Sequence, residues 1–119
     1  ISCPVGGGGL LAGTLVAVKE TRSDVRVIAA EPAAADDAAR GFQIGALQPQ
    51  VLPVVTIADG LTTAMSPMTF DVMRKLADAV VTVSEEAIVE AMRLIWSRMK
   101  IIIEPSCAVP LAAILERCW

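Results

Sequence analysis

The chain has 119 residues, a formal net charge of -3, 55 % hydrophobic residues and only 3 % aromatic residues. That length supports one domain with a modest core, and the weak acidity argues against a nucleic-acid binder, which shows a basic stripe. A mean hydropathy of +0.62 does not imply a membrane protein, because Arg, Asp, Glu or Pro interrupts each apolar stretch before the ~20 residues of a spanning helix.

Ile1 to Val5 reads as a short strand, Gly6 to Gly9 as a turn and Leu10 to Thr21 as a helix. Val25 to Ala30 has the Val/Ile content of a buried strand, bounded by Asp24 and by Glu31-Pro32. Ala33 to Phe42 suggests a short helix that Gly41 and Gly45 end. A proline-punctuated loop follows and leads into Thr56 to Leu61; Pro67 then sets off a helix over Thr69 to Leu76. Ala79 to Val83 reads as a strand. Ser84 is the expected N-cap of the next helix, with Glu85 and Glu86 in its first turn, and Ile88, Ala91, Met92, Ile95 and Met99 recur at helical spacing. A last strand is expected over Ile101 to Ile103, and Ala108 to Leu115 begins the final helix. The alternation predicts an α/β fold, a largely parallel twisted sheet with flanking helices.

The three cysteines, Cys3, Cys107 and Cys118, form no CxxC pair, and the chain has no histidine. They read as buried thiols in a reducing compartment, which with the lack of a signal peptide suggests a cytoplasmic protein. The chain begins mid-strand without an initiator methionine, so it reads as part of a longer protein.

Four consecutive glycines are costly to order. Strand, glycines, helix is the arrangement in which backbone amides and a helix N-terminus bind an anion, most often phosphate. One reading is a dinucleotide fingerprint, with Gly7, Gly9 and Ala12 as GxGxxA and Glu31 as the ribose-binding acid of an NAD(P)-dependent dehydrogenase. A second is a loop wrapping one terminal phosphate monoester, which a contiguous run suits better. A third is a tight turn without a ligand. No Gly-Lys-Ser/Thr follows, which excludes a Walker A loop.

Four segments in order, CPVGGGGLLAG, AAEPAAADDAAR, TIADGL and RMKIIIEPSCAVPLAA, resemble the fold-type II pyridoxal-phosphate enzymes, in particular the serine racemase and threonine (serine) dehydratase family. The resemblance covers essentially the whole chain and implies part of the large cofactor-binding domain. The segment with the imine-forming lysine and the small domain would lie upstream, and the partner of the pyridine nitrogen downstream. No catalytic residue of the family falls within this chain, so alone it is expected to be inactive.

The resemblance implies that Gly6, Gly7, Gly8 and Gly9 hold the phosphate of pyridoxal 5'-phosphate, that Gly60 lies beside its ring and that Glu104 lies close to its pocket. It further implies a Mg²⁺ or Ca²⁺ site with carboxylates from Glu31 and Asp37, a backbone carbonyl from Ala35 and water; read without it, Asp36 and Asp37 are helix-start acids. Arg98 and Lys100 match a basic segment that contributes to an ATP site; read without it, they are a solvated helix end. Cys107 stands where glycine is common in the family, Gly41 where serine is frequent, and Ser66-Pro67 where the loop after Ala58-Asp59-Gly60 often has glycine. The implied activity is ammonia-lyase or racemase chemistry on serine, threonine or a 3-hydroxy amino acid, through a cofactor imine and a Cα carbanion. The implied assembly is a homodimer, with no nucleic acid and no membrane as partner. A non-catalytic, cofactor-free relative is the remaining alternative.

Overall fold

A computed structural model describes residues 1–118. Its elements in chain order are β1 (Ser2–Pro4), α1 (Gly9–Thr21), β2 (Ile28–Pro32), α2 (Asp37–Ile44), a 3₁₀ turn (Asp59–Leu61), α3 (Pro67–Leu76), β3 (Ala79–Val83), α4 (Glu85–Met99) and α5 (Pro105–Leu115). The strands form a parallel sheet in the order β1-β2-β3, with Pro4 opposite Ala30 and Pro32 opposite Val83. This is the α/β fold the alternation predicts.

Side chains alternate across the sheet and divide the core into two layers. Cys3, Val5, Val27 and Ala29 face one way and pack with Leu11 and Leu15 of α1, Ala38 of α2, and Phe70 and Met73 of α3. Ala30 and Val83 face the other way, against Ala87, Ile88 and Ala91 of α4 and Ala108, Val109, Ala112 and Ala113 of α5. The alanine-rich faces of α4 and α5 let these helices approach closely. All five residues of β2 are buried, as expected of a central strand covered on both sides.

β3 and α4 lie where their residue patterns place them, and Ser84 Oγ accepts the Ala87 N–H at 3.1 Å as the expected N-cap. β2 is shifted later than expected and includes Glu31 and Pro32. Val5 N–H donates to Ala30 O at 3.0 Å, so the next donor on that side would be Pro32, which has none. Pairing with β1 therefore stops, while pairing with β3 continues and Ala33 N–H donates to Val83 O at 2.8 Å. α2 starts later and ends later than expected: Gly45, at φ 81°, is its cap, whereas Gly41 lies inside it. A Cβ on Gly41 would meet Phe70 Cε2 at 2.8 Å, so packing between α2 and α3 requires that glycine.

The strand expected over Ile101 to Ile103 is absent. Lys100 takes a left-handed conformation at φ 59° and turns the chain out of α4. The three isoleucines then run irregularly into Glu104, the N-cap of α5. β-branched residues favour a strand only where a neighbouring strand can pair with them, and none of the described strands does. Among the described residues, no helix is long and apolar enough to cross a membrane.

Candidate cofactor site

Gly8 is the N-cap of α1, at φ 84°, a left-handed conformation in which a side chain would be strained. A Cβ there would also strike Met65 Cε and come within 2.9 Å of Thr69. At Gly6 a Cβ would meet Leu61 Cα at 3.0 Å and Gly60 O at 3.3 Å. Packing within the chain therefore accounts for Gly6 and Gly8. Gly9 differs, because a Cβ added to it meets nothing within 4 Å.

The open space lies in a cleft of about 310 Å³ lined by Pro4, Gly6 to Gly9, Leu10, Gly60, Leu61, Glu104, Ser106 and Cys107. All the residues that the resemblance assigns to cofactor binding (Gly6, Gly7, Gly8, Gly9, Gly60 and Glu104) come together here from three separate parts of the chain. The N-termini of α1 and α5 both open onto the cleft, and α1 has neither a capping side chain nor an acid in its first turn. Its first amides are available to an anion. The lining contains no Lys or Arg, so backbone amides are what the cleft offers a phosphate.

Two supporting residues escaped the sequence reading. Thr69 Oγ1 donates to Gly7 O at 2.8 Å and fastens the glycine loop to the first turn of α3. The signal for it was local: Ser66 and Thr69 form a capping box, with Pro67 at the first helical position. Ser66 and Pro67 thus start the helix that braces the loop. The second residue is Ser106, buried in the first turn of α5, whose Oγ accepts the Gly60 N–H at 3.2 Å.

The cysteines match the expectation of buried thiols only in part. Cys3 is buried, Cys118 is half-buried and Cys107 is exposed. Cys107 is in the first turn of α5 with its thiol 3.8 Å from Glu104 Oε1, at the cleft rather than in the core. Burial raises the thiol pKa of Cys3, a hydrogen bond with Thr14 partly offsetting it; burial and the nearby Glu116 raise that of Cys118.

Glu31 and Asp37 are both buried, away from the cleft. Glu31 Oε1 accepts the Ala39 N–H at 2.6 Å and Oε2 the Ala38 N–H at 3.4 Å, so a β2 carboxylate caps α2. Asp37 Oδ2 accepts the Met65 N–H at 3.3 Å. Burial is the main cause that pushes the Glu31 carboxyl up to about 8, with backbone hydrogen bonds opposing it and the Asp37 charge adding to it. Asp37 is also raised, first by burial. A cation between them would relieve this, and the buried Ala35 lies on the intervening turn. Among the described residues, no three His, Cys, Asp or Glu side chains converge on one metal position, so a cation here would also need carbonyl and water ligands.

Arg98 and Lys100 lie exposed at the C-terminal end of α4, where the Lys100 ammonium donates to Ser97 O at 2.6 Å. Neither lines the cleft. Lys19, held by Asp78 and Val25 O, and Lys75 on α3 do not line it either.

A family model for pyridoxal-phosphate dependent enzymes matches residues 1–118. The chain belongs to this family. Serine racemase of Dictyostelium discoideum is 48 % identical over 118 residues, covering 98 % of this chain and 36 % of that protein. Human serine racemase is 44 % identical over 114 residues, covering 96 % of this chain and 34 % of that protein. A β-hydroxyaspartate dehydratase of Paracoccus denitrificans is 41 % identical, over 98 % of this chain and 36 % of that protein. Among solved structures, a T.th. threonine deaminase superposes with a TM-score of 0.94 at 46 % identity, over 97 % of this chain and 41 % of that one. The chain therefore spans about a third of the length of the curated relatives it matches.

The dinucleotide reading finds no support in these relatives. Its proposed ribose acid, Glu31, is buried and committed to the amides of α2. GxGxxA across Gly7, Gly9 and Ala12 is an incidental match in a chain of another family.

Proposed function

We propose that this chain forms the phosphate-holding part of a pyridoxal-phosphate enzyme that eliminates ammonia from, or racemises, serine, threonine or a related 3-hydroxy amino acid. The observation that carries the proposal is the convergence of the glycine loop, Gly60 and Glu104 on one cleft under two helix N-termini. The names of the relatives, serine racemase, threonine deaminase and β-hydroxyaspartate dehydratase, support the substrate class.

The residues present fit the cofactor, because Gly9 leaves its side of the cleft open and the α1 amides face it with no acid in that helix's first turn. When bound, pyridoxal phosphate supplies an electron sink for charge developing at the substrate Cα. The amides of Gly8, Gly9 and Leu10 would hold the phosphate and so fix the position of the reacting end. Gly60 would border the ring, and Glu104, at the mouth of α5, would present a carboxylate at the cleft edge. Because no lysine lines the cleft, the amine that anchors the cofactor would come from polypeptide beyond this chain, as would the remaining domain and a second subunit of a homodimer.

We also propose a divalent-cation site, Mg²⁺ or Ca²⁺, at Glu31, Asp37 and the Ala35 carbonyl, supported by two buried acidic side chains whose charged forms burial disfavours and a cation would restore. It would organise α2 and the loop at Met65 rather than touch the substrate. Arg98 and Lys100 lend an ATP site only their charge, and both also suit the helix end they occupy.

The complete protein, incubated with pyridoxal phosphate and L-serine or L-threonine, tests the proposal. The expected result is a visible cofactor band together with release of the 2-oxo acid, D-serine or both. Absence of the band and of every product overturns it.

A further inference from the structure

Ser106 is 5 % exposed, sits in the first turn of α5 and lines the cleft. Its Oγ accepts the Gly60 N–H at 3.2 Å and would lie 2.8 Å from a Cβ added to Gly60. Gly60 in turn lies against the glycine loop, since a Cβ on Gly6 would meet Gly60 O at 3.3 Å and Leu61 Cα at 3.0 Å. Three segments distant in sequence are thus stacked without spare room, in the order α5, 3₁₀ turn, glycine loop. Neither Gly60 nor Gly6 has the positive φ that would itself demand glycine. The close approach of their neighbours demands it.

We propose that Ser106 is a positioning residue that sets the width of the cofactor cleft, acting through the Gly60 amide; this rests on the reading of the cleft as the pyridoxal-phosphate site. The hydroxyl holds the turn at hydrogen-bond distance from α5, and the turn holds the face of the glycine loop opposite the phosphate. Without Oγ, the Gly60 N–H retains only the exposed Asp59 Oδ1, 3.0 Å away, and the turn is no longer fixed to the helix.

The stacking sets up a double-mutant test, because a methyl at Gly60 is obstructed chiefly by the Ser106 oxygen. Once that oxygen is gone, the nearest atoms are the residue 106 Cβ at 3.5 Å and Glu104 Oε1 at 3.9 Å, both ordinary contacts. In the complete protein, Ser106→Ala and Gly60→Ala are each expected to weaken pyridoxal-phosphate binding about tenfold, the worth of one hydrogen bond to a fixed group. The double variant is expected to lose about tenfold as well, not the roughly hundredfold of independent sites. Ser106→Thr, which keeps the oxygen, is expected to bind within about threefold of wild type. In the cofactor-free protein, the Gly60 amide is expected to exchange its hydrogen faster in Ser106→Ala while the α5 amides keep their protection. Wild-type affinity in Ser106→Ala, multiplied losses in the double variant, or unchanged Gly60 exchange overturns the positioning role. A wild-type protein that binds no pyridoxal phosphate overturns the cofactor reading instead, and the amide exchange still reports on the contact.

Discussion

The Asp78 carboxylate meets the Lys19 ammonium at 2.7 Å, tying the last turns of α1 to the residue that precedes β3. The same oxygen accepts the Val27 N–H at 2.7 Å, and the Asp78 N–H donates to Val27 O at 3.0 Å. The Lys19 hydrogen bond, followed by the Val27 amide, holds the Asp78 carboxyl below the ordinary aspartate range. Because the folded pKa lies below the unfolded one, the stabilisation is fully present above the unfolded value of about 3.9 and is lost as pH falls through the folded value.

Asp78→Asn is accordingly expected to cost about 1 kcal/mol at neutral pH, a modest figure because solvent reaches the pair. Urea unfolding at pH 7 and pH 3 checks this. The difference between variant and wild type should narrow at the lower pH, and an undiminished gap there contradicts the assignment.

Cys107 is expected to react first with iodoacetamide, followed by Cys118 and then Cys3, since burial both shields Cys3 and raises its pKa. Because Cys107 lines the cleft, pyridoxal phosphate should slow its alkylation several-fold and leave the other two unaffected. Mass spectrometry of timed samples reads both effects, and equal protection of all three thiols argues against a cofactor in this cleft.

Mg²⁺ or Ca²⁺ should raise the unfolding temperature of the wild-type protein, as any ligand of the folded state does. Glu31→Gln keeps an oxygen for the Ala39 amide but cannot ionise to meet a cation, so it should remain folded and lose most of that increase. An equal increase in both proteins would place the cation elsewhere.

Much of this was legible in the sequence because the signals are local. Ser84 followed by two acids starts α4, the Val-rich run over Ala79 to Val83 is β3, and the glycine run marks the turn from β1 into α1 that lines the cleft. What was not legible depends on contacts distant in the chain. Pro32 looked like a strand end, but only β1 needed its missing donor. Ile101 to Ile103 looked like a strand, but none of the described strands pairs with it. Four glycines looked like one requirement, yet Gly6 and Gly8 answer to Leu61, Met65 and Thr69, and Gly9 answers to open space. Ser106 and Thr69 reveal their roles only once the fold brings Gly60 and Gly7 beside them.

That distinction among the glycines gives the most direct test of the phosphate loop. Gly9 is the first residue of α1 and a methyl there touches nothing, so Gly9→Ala should leave the protein folded, and stabilise it by up to about 1 kcal/mol through the helix preference of alanine. The measurement is pyridoxal-phosphate affinity of Gly9→Ala and wild type in the complete protein, alongside their unfolding midpoints. An unchanged or higher midpoint with affinity reduced at least about tenfold is the expected result. An unchanged midpoint with wild-type affinity contradicts the assignment of the glycine loop to the cofactor phosphate.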